Sequence, residues 1–181
     1  VKNMILSRAQ IVQETEMSFP TVSKAVDFLI SRDIVRESKE TSLPAKGPGR
    51  RRNQLVFNPA AFYALTLAFE GSSVEIGITD LAGGILRFET RPFANFTMRE
   101  KYDELADYLQ GILAELSSPL LGIGIALPVD ADSDTGRIIS AFNISGNDCQ
   151  CVEENFRYLA DKLGLACFIG NDVNLACRGE N

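Results

Sequence analysis

Asn58-Pro59 divides this chain at a point that no single regular element can cross, and the charge changes sign across it. Proline has no backbone N–H and disfavours helical backbone in the residue before it, so neither a helix nor a central strand runs through. Residues 1–60 hold ten Lys/Arg against six Asp/Glu, whereas residues 61–181 hold eight against eighteen. The net charge of −6 therefore conceals a basic head and an acidic body. Two domains with different partners are implied, 1–58 and 59–181.

With 181 residues, 45% of them hydrophobic, the chain has enough apolar surface for a real core. No stretch approaches the roughly 20 apolar residues of a membrane span, and no apolar signal region follows Val1–Asn3. The chain reads as soluble and cytoplasmic, with no membrane partner. Cys149, Cys151, Cys167 and Cys177 crowd into the last third, which is no framework for a disulfide-stapled fold, so reduced thiols are expected. Histidine is absent. That excludes Ser-His-Asp chemistry, Cys-His chemistry and His-ligated metals within the chain, and no metal or cofactor is expected.

In the basic head, Ser7-Arg8-Ala9-Gln10 has the spacing of a capping box and predicts a helix over Arg8 to Thr15. Ser18 caps a second helix, with Pro20 tolerated in its first turn. Val22, Ala25, Val26 and Leu29 recur at helical spacing as its buried stripe, leaving Thr21, Ser23, Lys24 and Asp27 on the polar face. Two short helices with a small polar turn opening the second match the layout that enters a major groove, and match a merely solvated helical hairpin equally well. The following segment separates the two. Ile34–Glu37 and Gln54–Phe57 read as paired strands, and the loop between them carries Lys46 and Arg50-Arg51-Arg52 beside Gly47 and Gly49. A basic hairpin behind a helix-turn-helix is a wing, whose guanidinium groups reach phosphates or a narrow minor groove.

In the acidic body, a new domain begins near Ala60. Tyr63–Glu70, Val74–Asp80 and Ile85–Arg91 read as an antiparallel meander with glycine turns. Apolar residues at helical spacing predict a helix over 97–116, and Leu120–Leu127 is a buried strand between Pro119 and Pro128. Val152–Leu163 is a further helix and Leu165–Ile169 a further strand, and Asp172 opens a last helix. Three strands followed by helix-strand-helix-strand make an α/β layer fold of ribonuclease-H-like type.

The segments Thr21-Val22-Ser23-Lys24, Gly49-Arg50-Arg51, Thr79-Asp80-Leu81-Ala82-Gly83, Gly122-Ile123-Gly124-Ile125-Ala126-Leu127-Pro128, Asn143-Ile144-Ser145-Gly146 and Gly170-Asn171-Asp172-Val173-Asn174 occur in that order. Together they resemble the repressor, open reading frame and kinase (ROK) family, in its regulatory form. The resemblance covers nearly the whole chain. It implies a winged helix-turn-helix joined to a ribonuclease-H-like, actin-like ATPase type of sugar-kinase domain, of which 59–181 is the N-terminal part.

Kinase members of that family carry an Asp-x-Gly-Gly-Thr phosphate loop between the first two strands, where this chain has Ala68-Phe69-Glu70-Gly71-Ser72. The leading carboxylate is gone, and Glu70 stands where a glycine lets backbone approach the nucleotide, so ATP fits poorly. The family's zinc motif and second sugar-binding half are expected beyond Asn181. Cys149-Gln150-Cys151 lacks that motif's glycines and third cysteine and reads as two ordinary thiols. What the resemblance preserves is the sugar cradle. Asp172 matches the position that takes a proton from the sugar hydroxyl in kinases, and Asn143 and Asn171 match positions that bind ring hydroxyls. Their chemistry suits the role, since a carboxylate accepts and an amide both donates and accepts. Without the resemblance, Asp172 reads as a helix N-cap and Asn143 as a turn residue.

The resulting expectation is a sugar-responsive transcriptional repressor and not an enzyme. It meets double-stranded operator DNA through Thr21, Ser23, Lys24, Lys46, Arg50, Arg51 and Arg52. It holds a sugar or sugar phosphate through Asn143, Asn171 and Asp172, and it assembles as a homodimer or homotetramer. The rival readings are an ATP-dependent sugar kinase using Asp172 as general base, and a constitutive DNA-binding module whose acidic body only dimerises.

Overall fold

The structure, a computed structural model, describes residues 6–38, 54–132, 134–141 and 149–179. The chain forms two compact units, Val1–Phe62 and Tyr63–Asn181. The division falls beyond Asn58 because that residue still belongs to the first unit. Its N–H donates to the Ile34 carbonyl at 2.8 Å and its side chain to the Asp33 carbonyl at 2.9 Å. Pro59–Ala61 then form a 3-10 turn.

In the first unit, α1 (Arg8–Thr15) begins with both halves of the Ser7–Gln10 capping box made. α2 (Phe19–Ser31) begins at Ser18, whose hydroxyl accepts the Thr21 N–H, with Pro20 in the first turn. β1 (Val35–Ser38) and β2 (Gln54–Phe57) pair antiparallel, Val35 opposite Phe57 and Ser38 opposite Gln54. The small core is Val22, Val26 and Leu55, with Ile11, Val12, Ile30 and Val35 packed against it. Ala25, expected in the buried stripe, is exposed, and Leu29 is half-buried. The stripe follows the i, i+4 row Val22, Val26, Ile30, so Ala25 falls on its shoulder.

The second unit is built on a five-stranded sheet in the order β5-β4-β3-β6-β9. β3 (Tyr63–Glu70), β4 (Ser73–Asp80) and β5 (Ile85–Pro92) form the antiparallel meander. β6 (Leu120–Leu127) runs parallel to β3, and β9 (Cys167–Asn171) parallel to β6. The period-2 alternation of β3 buries Tyr63, Leu65, Leu67 and Phe69 and leaves Thr66 and Glu70 exposed. α3 (Arg99–Leu113) and α4 (Cys149–Leu163) join the buried residues of the sheet in one core. Phe69, Phe93, Phe96, Tyr102 and Phe156 meet edge-to-face there, with neighbouring centroids 5.0 to 5.6 Å apart.

α4 begins at Cys149 and not Val152, β1 is shifted one residue to Val35–Ser38, and three further departures have a physical reason. α3 is shorter than 97–116 because Glu115 and Leu116 close i to i+3 turns onto Ile112 and Leu113. β9 starts at Cys167 and not Leu165 because Gly164 (φ +67°) and the Leu165 N–H, bonded to the Ala160 carbonyl, finish α4. A small hairpin, β7 (Asp130–Ala131) with β8 (Ile138–Ser140), occupies a stretch whose polar composition carries no strand pattern. α5 (Asp172–Gly179) closes the described chain.

Candidate functional site

In the first unit the polar face of α2 is held by a residue of α1. Arg8 donates through Nη1 to the Ser23 hydroxyl at 3.1 Å, and through Nη2 to Asp27 at 2.8 Å and Glu37 at 3.0 Å. One guanidinium thus ties α1, α2 and β1, and it offsets the Asp27 carboxylate on the helix that carries Thr21 and Lys24. The Thr21 hydroxyl shares a 2.8 Å bond with Ser18, and Lys24 is exposed with no partner among the described residues. At the base of β1, Arg36 makes a bidentate pair with Asp33, holding that carboxyl below the usual range. Arg8 escapes a sequence reading, since its partners lie 19 and 29 residues away with no local signal.

The expected phosphate contacts Lys46, Arg50, Arg51 and Arg52 lie outside the described residues. They matter to the charge. Within the described part of residues 1–60, the bases Arg8, Lys24, Arg32 and Arg36 face the acids Glu14, Glu16, Asp27, Asp33 and Glu37, so the positive excess of the head resides elsewhere.

In the second unit, β6 and β9 end side by side, Leu127 opposite Asn171. Asn171 is the cap of α5. Its Oδ1 accepts the Asn174 N–H at 2.9 Å, and its Nδ2 donates to the Val129 carbonyl at 2.8 Å. Asp172, read from local pattern as the cap, is instead the first helical residue; one carboxylate oxygen accepts the Val173 N–H at 2.8 Å, and the other has no partner among the described residues. Asn143 lies outside the described residues. Two of the three expected sugar contacts are therefore adjacent at the carboxyl end of the sheet, where α/β folds place ligands, and one of the two is already engaged at both ends of its amide.

Close packing shapes this end of the sheet. A side-chain carbon at Gly170 would come within 3.0 Å of Leu175, so glycine lets α5 fold against β9. Gly136 (φ +66°), in the β7–β8 turn, stands where such a carbon would lie 3.0 Å from the Ile169 carbonyl oxygen. A cleft of about 390 Å³ opens beside α5, lined by Ala131, Phe168, Gly170, Asn171, Asn174 and Leu175 among others.

At the phosphate-loop position the chain makes a tight hairpin. Ala68 pairs with Glu75 and Glu70 with Ser73, Phe69 is buried, and only Gly71 (φ +58°) and Ser72 form the turn. The Thr79–Gly83 segment is a pinned turn, in which one oxygen of Asp80 accepts the N–H groups of Ala82 at 2.9 Å and Gly84 at 2.7 Å. The four cysteines are free thiols, and burial pushes Cys167 up to about 11. Among the described residues no cluster of acidic or cysteine side chains is placed to hold a metal, and no helix is long and apolar enough to cross a membrane.

No family model matches the chain. The xylose repressor of Bacillus subtilis (strain 168) is 28% identical over 183 residues, covering 99% of this chain and 46% of that protein. The DNA-binding transcriptional dual regulator NagC of Escherichia coli (strain K12) is 24% identical over 180 residues, covering 97% of this chain and 42% of its own length. The chain thus spans less than half the length of these curated relatives. A solved ROK family transcriptional regulator, a homolog of the E. coli MLC protein, superimposes with a TM-score of 0.71 at 20% identity over 92% of this chain and 41% of its own. A ROK hexokinase from Thermus thermophilus superimposes with a TM-score of 0.50 at 23% identity over 64% of this chain and 37% of its own. One of these relatives is named as a xylose repressor and the other as a transcriptional dual regulator, and the α/β fold of the second unit is the one that both ROK structures share.

Proposed function

We propose, from a fold shared with a ROK regulator and relatives named as a xylose repressor and a transcriptional dual regulator, that this chain is the DNA-binding and sensing part of a sugar-responsive transcriptional repressor. The first unit acts as a winged helix-turn-helix domain, residues 1–58. Thr21, Ser23 and Lys24 face base edges, and Lys46 and Arg50–Arg52 supply phosphate contacts from the wing. Residues 59–181 form the N-terminal part of a sugar-kinase-like domain that takes a sugar or sugar phosphate through Asn143, Asn171 and Asp172. The protein works in the cytoplasm as a homodimer or homotetramer and catalyses no reaction. Ala68 and Glu70 at the phosphate-loop position support that last point, because phosphoryl transfer needs positioned charge around the nucleotide.

The observation that carries the reading is Asp172, an acceptor oxygen uncommitted among the described residues, at the carboxyl end of the parallel strands β6 and β9. Asn171 contributes its second amide N–H while its other bonds hold the backbone there. The test is selection of binding sites from a random DNA pool, followed by operator titrations with xylose, N-acetylglucosamine and their phosphates. One of these ligands is expected to shift operator affinity. Asp172→Asn should cut sugar affinity about ten- to a hundredfold, the worth of a charge-assisted hydrogen bond, and leave sugar-free DNA affinity unchanged. Failure to enrich any DNA sequence removes the repressor reading. Sugar-dependent ADP release that Asp172→Asn abolishes replaces it with a kinase.

A further inference from the structure

β5 is an outer strand of the sheet and, among the described residues, pairs with β4 alone. The Phe93 N–H donates to the Ser72 carbonyl at 2.8 Å, which sets the phase of the ladder. Counting back by twos, Arg91 opposite Val74 and Glu89 opposite Ile76 turn their backbone groups towards β4. Phe88 and Thr90, opposite Gly77 and Glu75, therefore turn theirs outward.

An outward row of unpaired N–H and C=O groups is a template for another strand, and proteins usually blunt it with charge. Here the charges engage one another and α3 and stay partly exposed. Arg87 bonds to Glu89 and pairs with Glu115, Tyr108 donates to Glu89, and Arg91 lies 3.7 Å over the Tyr108 ring. Beside them the edge shows large apolar side chains to solvent, Ile85 69%, Leu86 51% and Phe88 59% exposed.

We propose that β5 pairs antiparallel with β5 of a second copy of this chain, about a twofold axis at Phe88. Centring the axis on Arg87 or Glu89 would also bring outward backbone groups together, but it sets two guanidinium groups or two carboxylates directly opposite each other. Centring on Thr90 sets Phe88 against Pro92, which has no N–H, and centring on Leu86 falls on the register shift next to Ile78 and Thr79. Centred on Phe88, the strand is self-complementary. Arg87 lies opposite Glu89 of the second copy, the reverse pair repeats across the axis, and the two Phe88 side chains meet, as an isologous interface requires.

The test is analytical ultracentrifugation of the full chain and two variants, with melting followed in parallel. The wild type is expected to dimerise. Phe88→Lys, which sets two ammonium groups at the axis, should weaken the dimer at least about tenfold, with the melting temperature unchanged when both proteins are melted at concentrations where they are monomeric. Thr90→Pro removes an outward N–H, costs no bond to β4, and should weaken it independently of apolar area. Phe88→Cys should form, under mild oxidation, a dimer whose bridging peptides contain residue 88 on both sides. A monomeric wild type, or a dimer that survives both substitutions without an 88–88 bridge, overturns the proposal. DNA binding enters none of these readouts. A dimer that binds no DNA refutes the repressor reading alone, and a DNA-binding monomer refutes this interface alone.

Discussion

The Asn171 amide donates to the carbonyl oxygen of Val129 at 2.8 Å while its own oxygen caps α5, so one side chain joins the turn after β6 to the helix after β9. Asn171→Asp keeps the cap but sets a carboxylate oxygen against a carbonyl. It is expected to destabilise the chain by about 1–3 kcal/mol at neutral pH. The repulsion raises the folded-state pKa of the new carboxyl above its unfolded value. The penalty should therefore be fully present well above that folded pKa and shrink as pH falls through it, when the group can donate again. Urea titrations of wild type and variant at neutral and acidic pH measure this; a penalty independent of pH removes the Val129 bond from the account.

Gly136→Ala tests the seating of the β7–β8 turn on β9. It forces a side chain into φ +66° and 3.0 Å from the Ile169 carbonyl oxygen, and a loss of about 1–3 kcal/mol is expected. Gly124→Ala is the control, because a carbon there meets nothing within 4 Å and no positive φ is involved. Equal denaturation midpoints for the two variants contradict the packing described.

Arg8→Ala separates positioning from stability. Its ion pairs are partly exposed, so the fold should lose less than about 1 kcal/mol. DNA affinity should fall further than that, since Asp27, three residues from Lys24 on α2, loses its cation. Arg8→Lys, which keeps the charge, should recover part of the affinity. Anisotropy titrations beside thermal melts decide it, and a DNA affinity that drops only in step with stability makes Arg8 a purely structural residue.

Replacing Arg50, Arg51 and Arg52 together by Ala should flatten the salt dependence of DNA binding. Each phosphate contact contributes about 0.9 to the slope of log affinity against log salt, so three contacts give up to about 2.7. An unchanged slope removes these arginines from the interface.

Asp103 joins α3 to α4 through Lys162 at 2.7 Å and Tyr158 at 2.6 Å, and those hydrogen bonds hold its carboxyl below the usual range. A depressed folded-state pKa stabilises the fold above the unfolded value of about 4 and ceases to do so as pH falls through the folded value. The stability gap between wild type and Asp103→Asn should be constant from neutrality down to about pH 5 and close below about pH 4. A gap that widens in acid reverses the sign and contradicts the pairing.

Much of the local structure was legible before any fold. α1, β2, β3 and β6 have the bounds that the capping box and the apolar patterns mark, because caps and side-chain periodicity act between near neighbours in sequence. The same holds for the Asp80 turn and for α5 opening at Asp172. The α/β class followed from the order of those elements, and the proposed sugar contacts only from a resemblance to known proteins.

Contacts between residues far apart in sequence were decided by tertiary structure alone. Composition gave no sign that Arg8 would bridge Ser23, Asp27 and Glu37, or that Asn171 would reach back to Val129 and take the cap that local pattern assigned to Asp172. Ala25 has the hydrophobicity of a core residue and is exposed, because burial depends on which row of α2 meets Leu55 and Ile11. The outward phase of β5 is likewise invisible in its alternation, since it depends on how Phe93 pairs with Ser72 across the ladder. Sequence determines what each segment prefers by itself; only the packed chain determines which polar groups are already bonded and which are left to meet a partner.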